Sequence, residues 1–147
     1  DDHYFTENYS PKLLFKEVTE AYIQGAEVLT GGIGGFGQAI PEGYHRYKVD
    51  WFWCTQFIVV YNRFFDKMLD YSFQDTDTAD GVISKLATNK MVIFPFISEQ
   101  RDFGYSDVTQ SNMEQQGKIR EHFARANKRM EFVSQSNMQS NIPKSYF

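Results

Sequence analysis

After Ser10-Pro11, apolar residues recur at three- and four-residue spacing: Leu13, Leu14, Val18, Ala21, Tyr22 and Ala26, with Glu17 among them. That period predicts an amphipathic helix. Ser10 suits the N-cap, Pro11 is tolerated at the first helical position, and Gly31-Gly32 is a natural stop. The most apolar stretch, Trp51 to Leu69, also fits a helix. Cys54, Phe57, Ile58, Tyr61, Phe64, Phe65 and Met68 then share one face, and Thr55, Asn62, Arg63, Asp66 and Asp70 the other. Phe52, Val59 and Val60 fall on or near the polar side, which leaves a partly buried strand as the alternative. The apolar run is shorter than the roughly 20 residues of a membrane span. It reads as a core helix or as one lying on a membrane surface.

Further along, Thr78-Ala79-Asp80 leads a short helix through Ile83 and Leu86. Lys90 to Ile97, KMVIFPFI, is a β-like run that Pro95 confines to an edge strand or an extended segment. Ser98 to Gln110 reads as loop. Ser111-Asn112-Met113-Glu114 is a capping box for a helix reaching about Val133, with the stripe Ile119, Phe123, Ala126, Met130 and Val133. The expected fold is therefore mainly α: three or so amphipathic helices with one short extended segment. Residues 1–133 form a single helical domain. Residues 134–147, rich in Ser, Asn and Gln, form an extended C-terminal tail that is either loose or an arm pinned by Tyr146 and Phe147.

Composition sharpens this picture. The chain has 147 residues, enough for one compact domain, and 17% of them are aromatic. Those aromatics cluster from Tyr44 to Phe73 and recur at both ends, which suggests contact rather than core alone. A lone cysteine, Cys54, excludes a disulfide scaffold. A net charge of -4 argues against bulk nucleic-acid binding. Charge is uneven: from Ser111 onward six cations face three anions. A solvated helix face with local ion pairs is the default reading of that basic helix, and an anionic membrane or an acidic partner subunit is the functional alternative, ahead of nucleic acid.

Candidate chemistry is sparse. Gly32-Ile33-Gly34-Gly35-Phe36-Gly37 matches G-x-G-x-x-G, the loop that brings backbone close to a pyrophosphate. The residues before it look helical and Pro41 breaks any helix after it, against nucleotide binding. Gly31 and Gly35, four apart, leave a short membrane-embedded or membrane-adjacent hairpin open, and a flexible hinge between helices is the preferred reading. His3, His45 and His122 are isolated, and no metal-ligand spacing is present. Asp102-Phe103-Gly104 lacks every companion motif of a kinase. Asp66 or Asp70 beside His45 could do acid–base work only if they converge. No catalytic, cofactor-binding or metal-binding residue is assigned, and no enzyme activity or cofactor is expected. Tyr44-His45-Arg46-Tyr47-Lys48, next to Trp51 and Trp53, reads equally as a basic and aromatic cluster at a lipid interface or as an ordinary surface turn before a core helix.

The run from Gly43 to Phe65, GYHRYKVDWFWCTQFIVVYNRFF, resembles the leading segment of small accessory subunits of mitochondrial inner-membrane complexes. These include the f-type subunits of ATP synthase and small membrane-arm subunits of complex I. The resemblance implies a non-catalytic subunit of a hetero-oligomeric, respiratory-chain type complex at the mitochondrial inner membrane or its surface. Its partners would be other protein subunits, with possible anionic lipid contact and no nucleic acid. The expected contact residues are Tyr44, Tyr47, Trp51, Trp53, Phe57, Tyr61, Phe64, Phe65, Tyr146 and Phe147. The alternative is a self-contained soluble α+β domain that binds a small apolar ligand.

Overall fold

The structure, a computed structural model, describes residues 3–101 and 118–140, with side chains as far as Asn137 in the last helix. A five-stranded sheet organises it. In chain order its strands are β2 (Val28–Thr30), β3 (Ala39–Pro41), β4 (Arg46–Val49), β5 (Ile58–Val60) and β6 (Lys90–Ile93). They lie side by side as β3-β4-β6-β2-β5, parallel at β2–β6 and antiparallel elsewhere. A separate antiparallel pair joins β1 (His3–Phe5) to β7 (Ser98–Gln100). The helices are α1 (Pro11–Ile23), α2 (Phe65–Leu69) after a 3-10 turn at Asn62–Phe64, α3 (Ala79–Leu86) and α4 (Lys118–Ser140).

Side chains alternate across the sheet, so each strand feeds two cores. Val28, Tyr47, Val49 and Val92 meet Ile83 and Leu86 of α3 and Phe123, Ala126 and Met130 of α4. Leu29, Met91 and Ile93 meet Leu13, Leu14, Val18 and Ala21 of α1 on the other face. The stripe expected for α4 is its packing face; that of α1 is so at Leu13, Leu14, Val18 and Ala21, while Tyr22 is exposed and Ala26 lies past the helix end at Ile23. Ser10 caps α1 by accepting from Leu13 N at 3.1 Å, and Thr78 caps α3. Helix α4 continues to Ser140, past Val133. The expected capping box at Ser111 lies outside the described residues.

A buried charge cluster fixes α1 on the sheet. Arg46 of β4 is 1% exposed and donates to Glu17, also 1% exposed. Its guanidinium reaches Glu20 Oε2 at 3.1 Å and Gln24 Oε1 at 3.0 Å. Glu17, Glu20 and Gln24 follow helical spacing, so one arginine reads a whole face of α1.

The mainly helical expectation is wrong: the fold is α+β. Trp51–Leu69 is not one helix. Trp53 bridges to Gly35, Cys54 takes a left-handed backbone (φ 72°), and Ile58-Val59-Val60 form β5. Left-handed backbone cannot continue a right-handed helix. Three consecutive β-branched residues favour a strand, which is the alternative Val59 and Val60 had left open. Lys90–Ile97 is no edge segment. Its first four residues are the central strand β6, and Pro95 lies beyond the ladder, so no sheet hydrogen bond is lost. Ser98–Gln100, expected as loop, is β7.

Candidate binding groove

The sheet ends at β3, and α4 crosses beside it. Between them lies an open groove of about 820 Å³. Residues 36–40 form one wall, and Arg125, Lys128, Arg129, Phe132 and Val133 of α4 the other. Helical spacing puts Arg125, Lys128 and Phe132 on one stripe, on the side of α4 turned away from the buried stripe that docks it. Ile40 is 56% exposed and Phe132 72% exposed, so two large apolar side chains flank the groove uncovered.

The groove's charges are unequally engaged. Arg129 donates to Phe36 O at 2.6 Å and Gly37 O at 2.9 Å, with its guanidinium 4.4 Å from the Phe36 ring centre. That arginine is structural. Glu131 accepts from Asn127 at 2.8 Å. Arg125 and Lys128 are exposed and make no hydrogen bond or ion pair among the described residues.

Backbone at the groove is poorly suited to strand addition. Glu42 N bonds to Arg46 O and Asp50 N to Gln38 O, so by alternation Ala39 and Pro41 turn their backbone groups to the outer edge. Proline has no N–H, leaving Ala39 as the one complete donor–acceptor position there.

The glycine-rich stretch supports this wall. Strand β2 does precede it, contrary to the helix expected there, but strand β3 rather than a helix comes next. The dinucleotide context therefore fails at its second half. The stretch is no loose hinge either: Gly31 O accepts from Ile97 N at 2.8 Å and Ser98 N at 3.1 Å, and Gly34 N donates to Trp53 O at 3.1 Å. The glycines make room for indoles and for the Asp50 carboxylate. A Cβ on Gly35 would stand 2.2 Å from Trp53 Nε1, and one on Gly37 would stand 2.3 Å from Asp50 Oδ2. Asp50 Oδ1 accepts from the backbone N–H of Gly37, Gln38 and Trp51, each at 2.9 Å. Burial is the largest single influence on this carboxyl and raises its pKa. The donated N–H groups of Gln38, Gly37 and Trp51 together outweigh it, so the net shift is downward.

The expected contact residues scatter. Tyr47, Tyr61 and Phe64 are buried in the core, and Phe57 is half-buried. Tyr44, Trp51, Trp53 and Phe65 are exposed; the two indoles share the segment between β4 and β5, while Tyr44 precedes β4 and Phe65 begins α2. Trp51 and Trp53 meet edge to face at 6.2 Å, and Trp53 lies 4.8 Å from the His122 ring. Tyr146 and Phe147 lie outside the described residues. The basic cluster Tyr44–Lys48 is split by strand alternation, with Arg46 and Tyr47 buried on opposite faces. His45 Nδ1 lies 3.2 Å from Phe94 O, and among the described residues no hydrogen bond joins it to Asp66 or Asp70. No three His, Cys, Asp or Glu side chains there could hold a metal ion, and no described helix is long and apolar enough to cross a membrane. Sequence reasoning missed Ile40 and Phe132. The usable signal was that Phe132 falls outside the Ile119–Val133 stripe while sharing a face with Arg125 and Lys128.

The chain matches no protein family, no curated protein and no solved structure with which it was compared.

Proposed function

We propose that the chain is a binding domain that seats a small apolar ligand in the groove between β3 and α4. The observation that carries this reading is the pair Ile40 and Phe132, large, apolar and exposed on opposite walls of an 820 Å³ groove. That volume lies in the roughly 300–1,000 Å³ range of small-molecule sites. Two features favour a small molecule over a partner strand. The outer edge at β3 is blunted by Pro41, and the groove is walled by side chains. The test is titration with the neutral fluorescent probe N-phenylnaphthylamine. Phe132→Asp and Ile40→Asp should each weaken it about tenfold, since each loses roughly one buried apolar side chain's contribution. Leu69→Asp, far from the groove in sequence and on exposed α2, should leave it unchanged. Loss of binding on Leu69→Asp alone would contradict the reading.

A second reading, a non-catalytic subunit of a larger assembly, is favoured by a different observation. Leu69 is 82% exposed, and Phe65, Met68 and Phe73 beside it are exposed too. Clustered exposed apolar residues are a common mark of protein contacts. This reading predicts concentration-dependent association of the isolated chain that Leu69→Asp removes. Sedimentation as a monomer at every concentration, with or without that change, would sink it.

A further inference from the structure

We infer that the ligand of the groove is an amphiphilic anion, an apolar molecule bearing one carboxylate or sulfonate, held head-first by Arg125 and Lys128. This rests on the ligand-binding reading and adds the ligand's charge to it. Of the groove's charged side chains, Arg129 is occupied by the Phe36 and Gly37 carbonyls, and Glu131 by Asn127. Arg125 and Lys128 remain, one helical turn apart, exposed and without an ion pair among the described residues. Phe132 lies one further turn beyond Lys128. The stripe thus reads cation, cation, aromatic, with Ile40 opposite. A head group at the two cations places an apolar body against Phe132 and Ile40. Charge-assisted hydrogen bonds to an arginine and a lysine are among the stronger polar contacts available at a surface. A free molecule fits better than a headgroup in a membrane. The groove is concave, with Ile40 and Phe132 on its two walls, a shape that takes up the body of a single free molecule.

The experiment compares two probes sharing one aromatic skeleton: anilinonaphthalene sulfonate, which is anionic, and N-phenylnaphthylamine, which is neutral. In the wild-type chain the sulfonate should bind about tenfold tighter, the worth of one charged hydrogen bond. The double variant Arg125→Glu/Lys128→Glu should erase that advantage and leave the neutral probe's affinity within about twofold. Near-ultraviolet circular dichroism checks that the variant is folded. Equal affinities in the wild type, with no effect of the reversal, would overturn the proposal while leaving the apolar groove in place. Failure of Phe132→Asp to weaken either probe would remove both readings. The reversal Lys12→Glu/Lys16→Glu on α1 should have no effect; an equal loss there would mean unspecific attraction and overturn the proposal. So would capture of the wild type, and not of the double variant, by phosphatidylglycerol vesicles, which would assign the cations to a membrane. Self-association abolished by the reversal would give the groove to a second copy and overturn it as well.

Discussion

The two faces of the sheet handle positive charge in opposite ways. Under α1, Arg46 is sealed among Glu17, Glu20 and Gln24, and every polar contact serves the position of the helix. Beside α4, Arg129 ties the helix to the Phe36–Gly37 backbone, while Arg125 and Lys128 stay in solvent without an ion pair among the described residues. A buried cation must be fully satisfied because low dielectric magnifies any unmet charge. An exposed cation carries no such demand and is left available. Charge on one face specifies the fold, and on the other it faces outward beside apolar surface.

Four changes test that contrast, from the largest effect to the smallest. Arg46→Met should cost about 3–5 kcal/mol in urea unfolding, since Glu17 is left buried and uncompensated. Adding Glu17→Leu should recover much of the loss. A single change that costs under about 1 kcal/mol would show the cluster is wet and break the comparison. Glu27 is a further buried carboxylate. It accepts from Lys67 at 2.5 Å, Thr88 N at 2.5 Å and Asn89 N at 3.3 Å. Burial raises its pKa most strongly, yet those donors together bring it below the usual 4.5. A lowered carboxyl pKa stabilises the fold above the unfolded value, and that stability disappears as pH falls through the folded value. Glu27→Gln should therefore cost roughly 1–3 kcal/mol at neutral pH and flatten the acid limb of the stability profile.

Tyr61 comes third. Burial pushes its phenol from 10.0 up to about 12, against the pull of Arg46 and Arg63, and its hydroxyl donates to Val18 O at 2.8 Å. The folded state holds the phenol proton more tightly, so this stability is present below pH 10.0 and is lost as pH rises toward about 12. Tyr61→Phe should cost about 1 kcal/mol at neutral pH and flatten that alkaline limb. The smallest effect belongs to the groove. Arg125→Glu/Lys128→Glu should change unfolding free energy by less than about 0.5 kcal/mol. A larger loss would mean these cations are structural and would erase the contrast between the faces.

Local signals were legible where one principle acted alone. Ser10-Pro11 and Thr78 start helices as their capping chemistry requires, and the stripe of α4 and the Leu13, Leu14, Val18 and Ala21 part of the α1 stripe are packing faces. Trp51–Leu69 was not legible because aromatic density imitates a helical face. The turn at Cys54 and the β-branched Ile58-Val59-Val60 decide the outcome, and sheet neighbours far along the chain reward it. Glu17 was visible at a core position of α1, yet its partner Arg46 lies 29 residues on, in what read as a surface cluster. The groove was legible only in half. The basic helix was plain, but Ile40 joins it through the sheet's strand order, which no local pattern reveals.

An amphiphilic anion should go to the groove and not to the apolar surface around α2. Titrating the isotope-labelled chain with sodium decanoate and following backbone amide shifts tests this directly. The predicted result is a saturable response at Ala39, Ile40, Arg125, Lys128 and Phe132, with Phe65 to Phe73 unmoved. Shifts confined to Phe65–Phe73, or no saturable shift at the groove, would contradict it.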